Sequence, residues 1–519
     1  MMPASTLALA GIQHSEARSH LFPGDGFEAA TILLCARTPG PRLKLVVREM
    51  IPVPHDACAR RVRDAITWPG AYLEKAIDKG DVEGLAIILL HSHPGGLFAF
   101  SEVDDASDAI TMSSLFQAYG DLHGSAIMTP DGAIRARLYG PDLKASPVDL
   151  VTVAGDDLHY WWADTSGFGG PSNKPIAFTS GMTQELGRLH AVIIGVSGTG
   201  SINAEQAARL GFSRVTLIDF DRVERKNLNR ILNTTIADAA AERLKVDAFS
   251  AAITAYRGEG VAIPLPKSID ARAAVIAASQ GDVIFCCVDT LDARYMADLI
   301  ASAFLIPLID VGVVIPVRAN ASTVAIADAV GRIDYVQPGG ATLGDRKVYT
   351  PETLRAEYLR RVAPAEHAHE IEAGYLKGIV EEAPAVITLN MRAAAASMNE
   401  FILRAYPFRL EPNRNYARTR FSLAGCDEDF FAEDSFDKAP NPLLGRGARA
   451  RHRPRPEQPG GHLDFPHGSL LLGAALGAVL AFGRVALGIA PSGGRGRGRT
   501  RGLGGHGLGQ RDARRLQRG

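Results

Sequence analysis

Short apolar runs alternate with turns through the first third of the chain. Residues 28–34 (Glu-Ala-Ala-Thr-Ile-Leu-Leu) and 43–48 (Leu-Lys-Leu-Val-Val-Arg) have strand length and flank Pro39-Gly40-Pro41, which predicts a hairpin. Residues 70–79 predict a helix. The apolar run 85–90 has the length of a buried strand and delivers the chain directly to His91, so the polar cluster that follows sits at a strand end. A helix entered through Ser101 and Asp104 continues over 109–119, with more strand near 124–138. The Gly- and Pro-rich stretch 167–175 marks a boundary. Past it, 190–194 predicts a strand, 195–201 a glycine turn, 202–210 a helix and 215–219 the next strand, which is a βαβ unit. Residues 283–288 and 307–314 fit buried parallel strands. Residues 352–380 read as largely helical, and 384–406 as a closing amphipathic helix.

This pattern predicts an α/β chain in four parts. An α+β domain over 1–165 is joined by a linker (166–176) to a Rossmann-like, doubly wound domain over 177–425, and a tail of mostly disordered character begins at 426. At 519 residues the chain is too long for one ordinary core. Its 46% hydrophobic and 22% charged residues suit a globular protein, and the net charge of -1 argues against a dominant nucleic-acid surface. Charge is uneven, however. From Arg446 onward there are fourteen Arg, no Lys and three acids, about +11 in all, which leaves about -12 for the rest. Arg/Gly-rich composition is first a sign of disorder, and no function is assigned to it. The apolar run 468–483 falls short of the ~20 residues that cross a bilayer, so no membrane span is expected. Five scattered cysteines without a CxxC pair fit a reducing cytoplasm, and no signal peptide is expected at the N-terminus.

The first chemistry lies at His91-Ser92-His93-Pro94, followed by Ser101 and Asp104. Zinc hydrolases hold the ion with three protein ligands and keep a fourth position open. His91 and His93, two apart at a strand end, point the same way, and Asp104 returns from the first turn of the next segment. A separate carboxylate must move the proton, and Ser101 could donate to a developing oxyanion. The bland alternative makes Ser101 an N-cap in a capping box with Asp104.

The spacing of His91, His93, Ser101 and Asp104 resembles the JAB/JAMM (MPN) metalloprotease pattern. That resemblance implies that His91, His93 and Asp104 bind Zn2+, that Ser101 supports the oxyanion, and that a Glu on an earlier strand is the general acid/base. Glu28, heading the first apolar strand, is where the family places it; Glu49, at the end of the second strand, is the other position.

The second chemistry is Gly195-Val196-Ser197-Gly198-Thr199-Gly200, between a strand and a helix, where glycines let a backbone approach phosphates at a positive helix end. Asp219, at the end of the next strand, can hold ribose hydroxyls. This much suits an NAD-linked oxidoreductase equally well. The segment from Asp219 through Asn227 to Arg230 resembles the signature of the ThiF/MoeB/HesA superfamily, the activating enzymes of ubiquitin and of bacterial sulfur carriers. By that resemblance Asn227, Arg230 and Lys245 contact ATP phosphates, Asp219 holds the ribose, and Asp289 binds Mg2+. Ser197 stands where the family usually has glycine, a change the turn tolerates if its φ is negative.

Residues 331–385 contain no Cys, although conjugating members keep a thioester cysteine there. Adenylation alone, or thiol chemistry from a separate thiol-carrying or conjugating partner, fits better. Cys286 and Cys287 read as small core residues. The Glu366–Glu370 segment, with its two histidines, reads as a solvated face, and Trp161-Trp162 as domain packing. Together the two resemblances imply a cytoplasmic enzyme that trims or removes a ubiquitin-like or sulfur-carrier protein and adenylates its C-terminal glycine. A homodimer is implied by resemblance, and no specific nucleic acid is expected. The alternatives are the NAD enzyme above and a non-catalytic scaffold that binds the tag.

Overall fold

The computed structural model describes residues 2–165, 174–320, 323–364 and 386–448. The first 165 residues build a nine-stranded sheet. Its strands are β1 (Ser5–Ala10), β2 (Ala30–Arg37), β3 (Leu43–Pro52), β6 (Ala86–Ser92), β7 (His123–Met128), β8 (Ile134–Tyr139), β9 (Ala145–Pro147), β10 (Leu150–Ala154) and β11 (Leu158–Trp162), with a side hairpin of β4 (Arg60–Val62) and β5 (Ala65–Thr67). They lie in the order β11-β10-β1-β3-β2-β6-β7-β8-β9. Helices α1 (Gly11–Leu21), α2 (Ala71–Glu83) and α3 (Glu102–Ala118) cover its faces. The expected hairpin is present as β2 and β3, antiparallel, with a register shift at Leu34/Cys35. Seven of the eight residues of β2 are buried, as expected of a central strand with a covered face on each side.

Residues beyond 174 form an eight-stranded sheet in the order β14-β13-β12-β15-β16-β19-β20-β21. Its strands are β12 (His190–Ile194), β13 (Arg214–Ile218), β14 (Ala262–Leu265), β15 (Val283–Cys286), β16 (Leu308–Val314), β19 (Val330–Val336), β20 (Arg418–Ser422) and β21 (Asp427–Phe431); a separate hairpin pairs β17 (Val317–Asn320) with β18 (Thr323–Ile326). The strands from β14 to β16 are all parallel. Their helices are α4 (Ser180–Leu186), α5 (Gly198–Leu210), α6 (Ile236–Ala240), α7 (Lys245–Arg257), α8 (Arg272–Ser279), α9 (Leu291–Phe304) and α10 (Pro351–Val362), and a closing helix spans Ile387–Ala405. Strand order runs outward on one side from β12 to β14 and on the other from β12 through β15, so it reverses between β12 and β15. That reversal is a topological switch point, where ligands bind doubly wound sheets at the carboxyl ends of the strands.

Two expectations need correction. The tail does not begin at 426: Asp427–Phe431 pairs with β20 as an edge strand. The backbone then runs along both domains: Gly445 donates to Ser302 and Gly447 to Ala303 of α9, and Ala448 to Arg37 at the end of β2. Arg and Gly in this stretch mark a close backbone approach: a Cβ on Gly445 would meet the Val47 carbonyl at 2.2 Å. The helix expected over 352–380 is described only as Pro351–Val362, and 365–385, with Glu366–Glu370, lies outside the described residues, as do the linker positions 166–173 and the apolar run 468–483. The pattern also gave no sign of β1, α1 or the β10–β11 pair.

The domains share one core. Leu150, Ala154, Leu158 and Trp162 pack with Leu186, Tyr335 and Tyr406 of the second domain. Polar groups close the seam: Arg42 pairs with buried Asp282 at 2.8 Å, Lys44 donates to the Gly281 carbonyl at 3.0 Å, and Tyr335 donates to the Gly155 carbonyl at 2.6 Å. Trp162 packs under Arg188 and donates to Glu185, which makes it part of this seam. Among the described residues, no helix is long and apolar enough to cross a membrane.

Candidate functional site

The first site forms where β6 ends. Ser92 is the last strand residue; its hydroxyl accepts from the Ala29 amide at 2.9 Å and its own amide donates to the Ala29 carbonyl. These bonds lock the segment carrying Glu28 beside the two histidines. Spacing alone gives Ser92 no role within the motif; a small hydroxyl residue between two histidines at a strand end is the signal for this one. Helix α3 brings Asp104 from the other side. It is anchored by Asp108, whose carboxylate accepts from Arg137 (2.8 Å) and Tyr139 (2.9 Å) beneath it.

His91 Nε2 lies 3.1 Å from His93 Nε2 and 3.0 Å from Asp104 Oδ1, and His93 Nε2 lies 3.4 Å from Asp104 Oδ2. A tetrahedral zinc site with bonds of ~2.0–2.1 Å has ligand-to-ligand edges of about 3.3 Å. His91, His93 and Asp104 can each offer one ligand atom within 4.8 Å of the others, so the three side chains are close enough to share one ion. Among the described residues, no other group of three or more His, Cys, Asp or Glu comes this close together. His93 Nδ1 faces the Leu97 carbonyl at 2.9 Å; donation there leaves the Nε2 lone pair facing the centre, as the outer bonds of metal-bound histidines do. Burial opposes charge on Asp104, yet the imidazoles of His91 and His93, when both ring nitrogens of each carry a proton, hold its carboxyl well below the usual range.

Ser101 is the N-cap of α3 and Asp104 its capping-box partner. The Ser101 amide and hydroxyl reach Asp104 Oδ2 at 2.6 and 2.8 Å, and the hydroxyl accepts from the Asp104 amide at 3.2 Å. The cap and ligand readings are compatible, because the cap is what aims the carboxylate. Glu28 is buried, and burial raises its carboxyl, with the two histidines pulling the other way. Glu49 instead pairs with Lys79 and has no part in this cluster.

The second site lies at the switch point. Gly195 takes φ +84, and a Cβ there would meet the Cys287 carbonyl oxygen at 2.9 Å and the Val288 side chain at 3.1 Å. A Cβ on Gly200 would fall 1.7 Å from the Gly195 carbonyl, and one on Gly198 2.1 Å from Asn390 Nδ2. The turn is therefore tight enough to require glycine, and it stands at the N-terminus of α5, a position that suits phosphate. Ser197 has φ -107, so the missing glycine costs no strain. Asp219 accepts from the Val196 amide at 2.7 Å and the Asp221 amide at 2.8 Å, and burial raises its carboxyl against the pull of Lys245.

Lys245 is buried and pairs with Asp221 at 2.7 Å. Arg230 lies over the turn: its Cδ is 3.5 Å from a Cβ placed on Gly198. Asn227 uses its side-chain oxygen to accept from the Glu224 amide, so part of its role is to hold this loop. Asp289 stands exposed just past β15, next to the Val288 that touches Gly195. Cys286 and Cys287 are buried, and burial pushes the Cys287 thiol up to about 12, which is the behaviour of core residues. Asn390, from the closing helix, is a contact the sequence reading did not find.

Residues 173–391 form a ThiF family domain. Strands β20 and β21 extend the sheet of the ThiF domain past that match. The chain is 30% identical over 119 residues to ubiquitin-like modifier-activating enzyme 5 of Oryza sativa subsp. japonica, covering 20% of this chain and 28% of that protein. It is 26% identical over 118 residues to molybdopterin-synthase adenylyltransferase of Escherichia coli strain K12, covering 23% and 47%. The chain thus spans less than half the length of these relatives. Among solved structures, E. coli MccB with ATP aligns at TM-score 0.37 and 15% identity over 49% of this chain and 66% of that one.

Proposed function

We propose that this chain is an ATP-dependent adenylyltransferase acting on the C-terminal glycine of a ubiquitin-like or sulfur-carrier protein, fused to a zinc peptidase of the JAB/JAMM type that cleaves at the same terminus. The glycine cradle at the switch point of the ThiF domain carries the first half. The names of the two relatives, a modifier-activating enzyme and an adenylyltransferase, agree with it. Mg2+ held at Asp289 supplies charge neutralisation to the triphosphate. A glycine carboxylate oxygen attacks the α-phosphorus, that P–O bond forms, and the bond to pyrophosphate breaks. Arg230 and Lys245 offset the charge that builds on the transferring group. Without a cysteine in 331–385, and with Cys286 and Cys287 sealed in the core, the adenylate is passed to a separate thiol-carrying or conjugating partner.

The ligand edges of His91, His93 and Asp104 carry the second half. Zinc held there supplies Lewis acidity to an attacking water. Glu28 takes the water's proton and returns it to the leaving amine, and burial above the ordinary carboxylate range suits a group that must do both. Ser101 fixes Asp104 and borders the developing oxyanion. A cytoplasmic setting and a homodimer belong to the same reading. The deciding experiment measures zinc content and cleavage of a C-terminally extended ubiquitin-like protein. His91→Ala is expected to lose both, whereas Glu28→Gln keeps the metal and loses cleavage by about 10²–10⁴-fold. Cleavage unchanged in both variants would sink the peptidase assignment. Absence of ATP–pyrophosphate exchange with any C-terminal glycine partner would sink the adenylation assignment.

A further inference from the structure

Helix α9 begins two residues after Asp289, and its first amides need partners from outside the helix. Thr290 is its N-cap, a residue type suited to capping, yet its side chain makes no cap bond. The partner comes from another helix. Glu357 of α10 accepts from the Leu291 amide at 3.0 Å through one carboxylate oxygen and from the Asp292 amide at 2.8 Å through the other. Arg361, one turn further along α10, pairs with Asp292 at 3.4 Å, and Leu354 packs into the cluster that contains Leu291 and Tyr295. On the other side of Asp289, buried Arg294 donates to the Val288 carbonyl at 2.6 Å while its guanidinium is anchored on Asp310. The backbone is thus gripped at the residue before Asp289 and again two and three residues after it, with Asp289 itself exposed between.

We infer that Glu357 is a positioning residue for Asp289, fixing the turn so that its carboxylate meets Mg2+ in the nucleotide complex; this rests on the nucleotide reading above. Glu357 touches neither nucleotide nor metal. A charge-assisted, two-oxygen grip on consecutive amides holds the turn far more rigidly than a single hydroxyl cap would. Outer groups that orient a metal ligand contribute through affinity for the metal, typically ~10–100-fold on mutation. A Glu357 that only capped a helix would instead affect thermal stability and leave metal dependence alone.

The test uses the full chain and α,β-methylene-ATP, with dissociation constants measured by calorimetry at saturating Mg2+ and in EDTA. In the wild-type protein Mg2+ tightens binding. In Glu357→Ala that tightening is expected to fall by about 10-fold, with the EDTA value unchanged, and Glu357→Gln, which retains one acceptor oxygen, is expected to fall between. Should the alanine variant not fold, the glutamine variant decides by the same ratio. A wild-type Mg2+ ratio in both folded variants overturns the inference, even if their unfolding midpoints drop. Wild-type protein that binds no nucleotide, or binds it without regard to Mg2+, overturns the nucleotide reading itself. Asp289→Asn separates the two failures, because only a correct reading makes it lose the Mg2+ effect.

Discussion

At the scale of single residues, both sites are built from side chains whose partners are backbone groups, which is why their geometry is stiff. Asp104 is aimed by the Ser101 cap, His93 by the Leu97 carbonyl, and the Glu28 segment by Ser92. The same stiffness makes Gly200 a sharp probe. A Cβ there would overlap the Gly195 carbonyl, backbone against backbone, with no flexible side chain to give way. Gly200→Ala is expected to lower stability by about 1–3 kcal/mol, the cost of overpacking, and to abolish ATP binding; denaturant unfolding and nucleotide titration check the two effects. A variant with wild-type values for both would show that the turn relaxes. Much of this was legible beforehand, because motif spacing fixes residue identity at strand ends. What was not legible were the partners brought from far along the chain. Asn390 against Gly198 and Glu357 against Leu291 join segments that no local pattern connects.

At the scale of elements, sequence patterning succeeded where an apolar run was long and bounded by turns, as for β2, β3, β6, β12 and β13. It failed at β1 and at the β10–β11 pair, where burial does not alternate: β1 packs on both faces, and Leu150, Ala154, Leu158 and Trp162 face the second domain while Val151, Val153 and Trp161 face the first. It failed again past residue 425, where the acidic Asp427–Phe431 has no apolar run to mark β21 and the Gly-Arg-Gly at 445–447 conceals the return segment. That return segment bears on stability. Residues 427–431 complete the sheet edge, and Gly445, Gly447 and Ala448 bond to Ser302, Ala303 and Arg37 of two different domains. A chain ended after Ala448 is expected to melt several degrees higher than one ended after Gly425, since each lost backbone bond contributes about 1 kcal/mol. Equal melting temperatures would mean that the return segment adds nothing to either domain.

At the scale of the whole molecule, the seam decides what each site can reach. One stretch of it joins Gln280–Asp282, at the amino ends of the parallel strands, whereas Gly195, Asp219 and Asp289 lie at the carboxyl ends. On the other side it is made by residues 38–44, at the far end of β2 from the Ala30–His91 pair. Eight residues of β2 at ~3.4 Å each put about 25 Å between that turn and the His91 end of the sheet.

Lys44 also makes the seam sensitive to pH. Burial, opposed by Asp282 and reinforced by Arg42, lowers its ammonium to about 7. The unfolded chain therefore holds more protons between about 7 and the ordinary lysine value, and stability must rise with pH across that window, by at most about 1.4 kcal/mol per pH unit. Lys44→Met is expected to flatten that slope in denaturant titrations, and a slope unchanged by the substitution would place its origin elsewhere.

Under the proposed function, Gly195, Asp219 and Asp289 at the carboxyl ends of their strands and His91, His93 and Asp104 at the Ala30 end of β2 each stand away from the Arg42–Asp282 contact, so a trimmed terminus is expected to be released and captured again. Two inactivated proteins, His91→Ala and Asp289→Asn, should therefore together convert an extended ubiquitin-like protein into its adenylate. At equal concentration of each working site, the rate should match wild type within about 2-fold, since diffusional capture at ~10⁵–10⁷ M⁻¹s⁻¹ serves either arrangement. A mixture far slower than wild type would instead demand hand-over within one chain, and with it a large rearrangement of the Arg42–Asp282 seam.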